Sequence, residues 1–198
     1  NSTVDGGCLA VNSFEGLMRY NAKGELEPAC AESYEVSEDG LTYTFTMRDG
    51  LKWSNGAELS AKDFEYAWKR MANPDTAADY SYLCAMFAGY DETKGLADDD
   101  VVASEDGKTL TVKLAAVTPY FLDLCAFPTF FPVYQDAVEN NADWANDAGE
   151  NFVTNGAFTL KSWNHDSSMV YVKNPNYWDA ANVTVDTMNV MLTSDDVS

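Results

Sequence analysis

Few side chains in this sequence have the type and spacing that catalysis requires. The single histidine, His165, falls in a predicted polar turn, so a histidine-activated nucleophile would depend on one exposed residue, and a solvated histidine is the favoured interpretation. The 32 acidic residues offer many carboxylate pairs for hydrolysis, but their abundance makes no pair specific. Neither Asp98-Asp99-Asp100 nor residues 147–150 have the ligand order of a calcium loop. No phosphate-binding glycine motif occurs either, so we expect no catalytic residue, no metal site and no cofactor.

Aromatic residues are better candidates, because they can bind a ligand without reacting with it. Residues 75–83 form a predicted loop that carries Tyr80 and Tyr82. Each ring has an apolar face and a polar hydroxyl, which suits the apolar and polar parts of a peptide backbone. From the residues alone, however, the simpler interpretation places one tyrosine in the core and the other on the surface.

The elements before this loop would position it. Ser54-Asn55-Gly56 is typical of a tight turn, and Ser60 with Asp63 three residues later predicts a helix N-cap with an acid in the first turn. The apolar face of a short helix follows at Phe64, Ala67, Trp68 and Met71. Asn73-Pro74 should end that helix just before the loop. A helix with one apolar face must pack against other elements, so the loop is expected to begin on a folded support.

Alternating apolar residues predict several strands. Residues 41–47 place large apolar side chains on one face and threonines on the other. The tetrapeptide Ser-Glu-Asp-Gly occurs at 37–40 and again at 104–107, each time as the predicted turn of a hairpin. A third hairpin is predicted from residues 158–173, and a last strand from residues 187–192.

Short helices are predicted between the strands. Thr118-Pro119 has the pattern of an N-cap followed by proline at the first helical position, opening a turn or two through Cys125. Residues 135–140 and 143–147 are predicted as two further short helices. Helical and strand signals are interspersed without regular alternation, which favours a mixed α/β sheet over a doubly wound parallel one.

Composition and charge limit the classes of partner. A chain of 198 residues that is 46% hydrophobic can bury the core of one or two ordinary domains. Its 12 basic and 32 acidic residues give a net charge of −20, which repels nucleic acid and anionic lipid, so we expect neither as a partner. No apolar run is long enough to span a membrane. Cys8, Cys30, Cys84 and Cys125 have no CxxC spacing and are interpreted as small buried groups or at most one disulfide pair.

Five segments give the sequence a resemblance to a known family. They are residues 14–17 (Phe-Glu-Gly-Leu), 31–33 (Ala-Glu-Ser), 51–77, 155–163 (Asn-Gly-Ala-Phe-Thr-Leu-Lys-Ser-Trp) and 173–178 (Lys-Asn-Pro-Asn-Tyr-Trp). In order and approximate spacing they resemble the peptide-binding branch of the extracytoplasmic solute-binding proteins of ABC importers. Proteins of this kind are much longer and enclose their ligand between two lobes, so the likeness covers only the N-terminal part of such a protein.

The resemblance implies a fold class and a division of the chain. The expected fold is α/β, a lobe similar to that of type II periplasmic binding proteins, with a mixed sheet, hairpins, short helices and an inserted smaller subdomain. Residues 30–140 would form the insert, and residues 1–29 and 141–198 would belong together on the larger domain.

The resemblance also implies ligand-binding residues. In similar proteins the tyrosine of this loop faces the ligand cleft, which assigns Tyr80 to the site with Tyr82 beside it. Phe127 is a candidate for the same cleft, although core packing suits it equally well. The N-terminal segment approaches the ligand in similar proteins, which adds Val4 and Asp5. This sequence departs from the family there, because the usual Asp-Pro dipeptide is missing.

The function that the resemblance implies is solute binding for an ABC importer. The chain is expected to bind oligopeptides and deliver them to the permease subunits in the membrane, without enzymatic activity. It would work outside the cytoplasm, as a periplasmic protein or a cell-surface lipoprotein, and would be a fragment with half of the cleft. The alternatives are a sibling protein for a dipeptide, metal complex or saccharide, or a secreted module that binds or hydrolyses glycans.

Overall fold

The structure, a computed structural model, describes residues 4–192, with the side chains of residues 4–6 and 8 outside the description. The α-helices of this range are α1 (Val4–Ser13), α2 (Ala61–Ala72), α3 (Phe121–Leu124) and α4 (Gln135–Asn140). Its strands are β1 (Met18–Tyr20), β2 (Leu26–Pro28), β3 (Ala31–Val36), β4 (Thr42–Met47), β5 (Val101–Ala103), β6 (Thr109–Lys113), β7 (Phe158–Asn164), β8 (Ser168–Lys173) and β9 (Thr187–Met191). Short 3-10 helices lie at Pro74–Thr76, Ser81–Met86, Pro128–Phe130 and Ala180–Asn182.

The strands form three sheets, and every pairing between them in the described range is antiparallel. β1 pairs with β2, the four-stranded sheet has the order β3-β4-β6-β5, and the three-stranded sheet has the order β7-β8-β9. Helices and strands are interspersed along the chain, which confirms the expected α/β class with hairpins and short helices. Among the described helices, none has the length and apolar character needed to cross a membrane.

All three predicted hairpins are present. The two Ser-Glu-Asp-Gly turns join β3 to β4 and β5 to β6. Gly40 and Gly107 adopt φ angles of 72° and 69°, a left-handed conformation that glycine takes without a steric cost. The third hairpin joins β7 to β8, and β9 adds the predicted last strand beside β8.

Helix α2 begins and ends as its sequence predicts. The Ser60 hydroxyl accepts a hydrogen bond from the Lys62 backbone N–H at 3.3 Å, and the Asp63 carboxylate accepts one from the Ser60 N–H at 2.8 Å. This reciprocal pair is a capping box, which supplies partners to backbone donors that the first turn leaves free. The predicted apolar face is buried at Phe64, Ala67, Trp68 and Met71. The helix ends at Ala72, immediately before Asn73-Pro74.

The main core lies between α2 and the four-stranded sheet. Its largest fully buried side chains are Trp53, Trp68, Phe45, Phe64, Phe87, Phe121 and Phe130. A smaller cluster of Leu160, Met169 and Tyr171 lies in the three-stranded sheet. Three cysteines, Cys30, Cys84 and Cys125, are buried free thiols, so the buried-group interpretation is confirmed for them. The Cys8 side chain lies outside the description.

One predicted helix is present but begins later than expected, and another, at residues 143–147, is wrong. Thr118 does not cap a helix, because its hydroxyl donates to the Ala116 carbonyl at 3.0 Å and α3 begins only at Phe121. Residues 143–147 form turns and bends, whereas residues 135–140 are helical as predicted. The Asn141 side-chain oxygen accepts the Asp143 backbone N–H at 3.0 Å, and such local side-chain bonds compete with the helical pattern.

Candidate functional site

An open cavity of about 380 Å³ lies at the end of α2. The loop that follows the helix borders it with residues 76–80, and a later segment borders it with residues 128–129 and 131–133. Trp144 lines the cavity from the polar segment after α4. Ala10 and Phe14 of the N-terminal segment border it as well, so four separate stretches of the chain meet at this cavity.

The loop after α2 is shaped by local hydrogen bonds that bring Tyr80 to the cavity. The Asn73 side chain accepts the Asp75 backbone N–H at 2.9 Å and caps the 3-10 helix Pro74–Thr76. Ala77 then adopts a left-handed φ of 49°, which turns the chain, and Tyr80 immediately precedes the next 3-10 helix, Ser81–Met86. Tyr80 is partly buried and lines the cavity, so the loop holds its side chain in a defined place.

Three predicted site residues form one aromatic group around Tyr80. The Tyr80 ring centroid lies 6.0 Å from that of Tyr82 and 5.7 Å from that of Phe127, whose ring is nearly perpendicular at 84°. Of the three, Tyr80 alone lines the cavity. Tyr82 is 63% exposed and Phe127 is 37% exposed, so neither belongs to the core. Their roles in ligand binding stay predictions, but the structure brings the three side chains together.

The N-terminal segment contributes residues that sequence reasoning did not select. The backbone of Val4 and Asp5 lies in α1, but their side chains are outside the description. Ala10 and Phe14 of the same segment line the cavity instead. The Phe14 ring centroid lies 6.4 Å from that of Trp144 and 5.8 Å from that of Phe152. The sequence did hold a signal for Phe14, because this residue is the first of residues 14–17, one of the five segments that carry the family resemblance.

The cavity contains one basic and one acidic residue. Arg70, in the last turn of α2, and Asp79, in the loop, are the charged members among the described residues that line it. They form no ion pair with each other or with another residue of the described range. Sequence reasoning missed Arg70, because a basic residue near a helix C-terminus is usual for helix stability alone.

A second polar cluster surrounds Glu15 and is buried. The Glu15 carboxylate accepts hydrogen bonds from the Tyr177 hydroxyl and the Trp178 ring N–H, both at 2.5 Å, and forms an ion pair with Arg19 at 3.4 Å. Two guanidinium groups lie over the Trp178 ring, that of Arg19 at 5.0 Å and that of Arg48 at 4.0 Å from the ring centroid. Burial raises the pKa of Glu15 above its ordinary value of 4.5, against the opposite effects of these donors.

Contacts with the backbone explain two of the residues around this cluster, Asn155 and Gly16. The Asn155 side chain accepts the Glu15 N–H at 3.1 Å and donates to the Glu15 carbonyl at 2.9 Å. A Cβ atom at Gly16 would lie 2.1 Å from the Cys125 carbonyl oxygen, so only glycine fits there. Residues 14–17, 155–163 and 173–178, three of the segments that carry the family resemblance, therefore meet at one point. We interpret this cluster as structural.

The histidine is placed as the sequence predicts. His165 is exposed in the turn between β7 and β8, and its ring stacks on Trp163 with centroids 4.3 Å apart. This confirms the interpretation of a solvated turn histidine.

A comparison with protein-family models assigns the chain to a family. The model described as "Bacterial extracellular solute-binding proteins, family 5 Middle" matches residues 25–198, which is most of the sequence. The chain belongs to family 5 of the bacterial extracellular solute-binding proteins. The resemblance carried by the five segments is thereby confirmed.

Individual relatives of this family 5 chain are considerably longer than it is. Oligopeptide-binding protein OppA of Bacillus subtilis (strain 168) is 42% identical over 195 residues, which cover 97% of this chain and 36% of OppA. Dipeptide-binding protein DppE of the same organism is 41% identical over 187 residues, which cover 93% of this chain and 34% of DppE. The family 5 chain thus spans about a third of the length of these relatives.

A solved structure confirms the expected fold of the family 5 chain. The structure described as Listeria monocytogenes OppA bound to peptide superposes with a TM-score of 0.91 at 34% identity. The match covers 98% of this chain and 39% of that one. The lobe similar to type II periplasmic binding proteins is therefore the fold of this chain.

Proposed function

We propose that this chain is part of an extracytoplasmic receptor that binds oligopeptides and delivers them to the membrane permease of an ABC importer. The observation that carries the proposal is the aromatic group of Tyr80, Tyr82 and Phe127 at an open cavity. The names of the relatives support it, since one is an oligopeptide-binding protein and a similar structure is described as bound to peptide. The peptide would be released unchanged, because the role is binding and not catalysis.

The chemistry of the cavity suits a peptide. Aromatic rings bury the apolar parts of a ligand, and the Tyr80 hydroxyl can exchange hydrogen bonds with its backbone. Tyr82 and Phe127 would extend this surface beside Tyr80. We include Val4 and Asp5 in the site from the family resemblance. Because the chain spans about a third of its relatives, we propose that it supplies one wall of the site and that the rest of the receptor closes over the peptide.

We also propose the domain division and the location that the resemblance implies. Residues 30–140 would form a subdomain inserted between residues 1–29 and 141–198. The sheet arrangement supports this division, because the four-stranded sheet lies within residues 31–113 and the three-stranded sheet within residues 158–191. The receptor would work in the periplasm or as a lipoprotein at the cell surface.

The second candidate ligand is a dipeptide. It is favoured by the relative DppE, which is named a dipeptide-binding protein and is nearly as similar to this chain as OppA is. A dipeptide and an oligopeptide differ in mass, so one experiment separates them.

Native mass spectrometry tests the proposed function. The longest natural chain that contains these 198 residues and the 198-residue chain itself are purified without denaturation and analysed for bound mass. We expect a ladder of peptide masses on the longer chain and none, or far less, on the shorter one, because the shorter chain offers only one wall. Masses of two residues only would favour the dipeptide. A single non-peptide mass, or turnover of added peptides, would contradict a peptide receptor.

Replacing Tyr80 with alanine is expected to weaken peptide binding by the longer chain about 2- to 12-fold. An aromatic contact contributes about 0.5–1.5 kcal/mol beyond its buried area, which corresponds to this loss in affinity. Isothermal titration calorimetry with a peptide identified by the mass spectra measures it.

The control for this variant is Tyr120→Ala. Tyr120 is a tyrosine that is 59% exposed and does not line the cavity, whereas Tyr80 is partly buried and does. Unchanged affinity in Tyr120→Ala together with a loss in Tyr80→Ala is the expected pair of results. Equal affinities in the two variants would remove Tyr80 from the site.

A further inference from the structure

Arg70 lies at the boundary between two cavities. It lines the 380 Å³ cavity of the candidate site together with Tyr80. It also lines a neighbouring open cavity of about 600 Å³, and Trp144 is the other residue that borders both. Arg70 is partly buried in the last turn of α2, so its backbone position is fixed by a well-packed helix.

Arg70 differs from the other partly buried basic residues because its side chain has no ion-pair or hydrogen-bond partner in the described range. The others all have one: they are Arg19 (with Glu15, Glu27 and Asp179), Arg48 (with the Ala29 carbonyl and Trp178), Lys69 (with Glu65), Lys113 (with Asp99) and Lys173 (with the Val183 carbonyl). Arg70 forms neither an ion pair nor a side-chain hydrogen bond with a described residue. In a chain with 32 acidic and 12 basic residues, counter-charges are abundant, so an arginine in a cavity that has no ion pair with a described residue is informative.

The electrostatics of the two cavities leave Arg70 available to a ligand. Asp79 lines the same cavity but is exposed, and Glu139 lines the neighbouring one, where it accepts a hydrogen bond from Gln135 at 2.8 Å. A partly buried guanidinium group costs free energy unless an acceptor takes its hydrogen bonds. Its planar set of N–H donors matches the two oxygens of a carboxylate.

We propose that Arg70 binds a carboxylate of the ligand, either the C-terminal carboxylate of a peptide or an acidic side chain. The inference rests on the proposed function and adds to it a residue that determines specificity. The receptor would therefore prefer ligands with a carboxylate over ligands without one, despite its own strongly negative charge.

Competitive binding of three peptide pools tests this assignment. Each pool contains random pentapeptides and is offered to the longest natural chain that contains these residues. The first pool has free C-termini and no Asp or Glu, the second has amidated C-termini and no Asp or Glu, and the third has amidated C-termini with Asp and Glu. Bound peptides are quantified by native mass spectrometry.

We expect the wild-type protein to prefer one of the carboxylate-containing pools to the second pool by about 10- to 100-fold, the range for a hydrogen bond to a charged group. Preference for the first pool would identify the C-terminus as the bound group, and preference for the third would identify a side chain. The variant Arg70→Gln should lose this preference, and Arg70→Lys should retain part of it.

The matched control is Lys62→Gln. Lys62 is a basic residue on the same helix, but it is exposed and borders neither cavity. The variant Lys62→Gln should keep the wild-type preference. This result would show that the loss in Arg70→Gln comes from a local contact and not from the change in net charge. A role of Arg70 in stabilising the helix C-terminus would change the unfolding temperature but not the preference between pools.

Two results would overturn the assignment. The first is equal binding of the second pool and the carboxylate-containing pools by the wild-type protein. The second is a preference in Arg70→Gln that is the same as in the wild-type protein. Peptide binding would persist in both cases, so the proposed function would stand. Absence of binding to all three pools by the wild-type protein would contradict the proposed function and this inference together.

Discussion

Replacing Trp68 with alanine is expected to lower the free energy of unfolding by about 3–5 kcal/mol. Trp68 is completely buried, and its ring lies 5.3 Å from Phe130 and 5.9 Å from Phe87, measured between centroids. Its ring N–H donates to the Phe130 carbonyl at 2.8 Å. The substitution removes these contacts, leaves a cavity at the centre of the main core and deprives a buried carbonyl of its donor.

Urea unfolding followed by far-ultraviolet circular dichroism measures this loss without depending on tryptophan fluorescence. The control is Tyr82→Ala, which removes an aromatic ring that is 63% exposed and should change the free energy of unfolding by about 0.5 kcal/mol or less. Similar losses in the two variants would mean that the core between α2 and the four-stranded sheet does not stabilise the fold.

Replacing Glu15 with alanine is expected to lower the free energy of unfolding by about 3–5 kcal/mol, the range for removing one partner of a buried charged network. The substitution leaves the Tyr177 hydroxyl and the Trp178 ring N–H without their acceptor. It also removes one carboxylate from Arg19. Because the cluster joins residues 14–17 to residues 173–178, we expect the loss to appear in the global unfolding transition, measured by urea titration.

The control for Glu15 is Glu27→Ala. Glu27 also accepts a hydrogen bond from Arg19, at 2.8 Å, but its side chain is 35% exposed against 8% for Glu15. Water can take the place of the exposed Glu27 carboxylate, so Glu27→Ala should lower the free energy of unfolding much less than Glu15→Ala does. The variant Glu15→Gln, which keeps the volume and one acceptor oxygen, should lie between the two. Equal costs for Glu15→Ala and Glu27→Ala would contradict the structural role of the cluster.

Features that depend on neighbouring residues could be predicted from the sequence. The capping box of α2 needs a serine and an acid three residues apart, and the hairpin turns need a glycine that accepts a left-handed conformation. Alternation in residues 41–47 gave the buried face of β4, because a strand turns successive side chains to opposite sides. Local reasoning failed at Thr118, whose hydroxyl bonds the Ala116 carbonyl, and at residues 143–147, where side chains bond the backbone of turns.

The family, the α/β class and the loop that carries Tyr80 were therefore determined by the sequence alone, since they depend on short segments and their order. The tertiary structure decided what surrounds Tyr80. Phe14, Arg70 and Trp144 come from distant parts of the chain and meet at one cavity only after the helices and sheets have packed. Likewise, Glu15 and Trp178 are 163 residues apart but share a hydrogen bond. Periodicity and capping describe contacts within a few residues, whereas contacts of this range depend on how separate elements pack. For this reason only the structure shows that Arg70 lines the cavity and has no ion pair with a described residue.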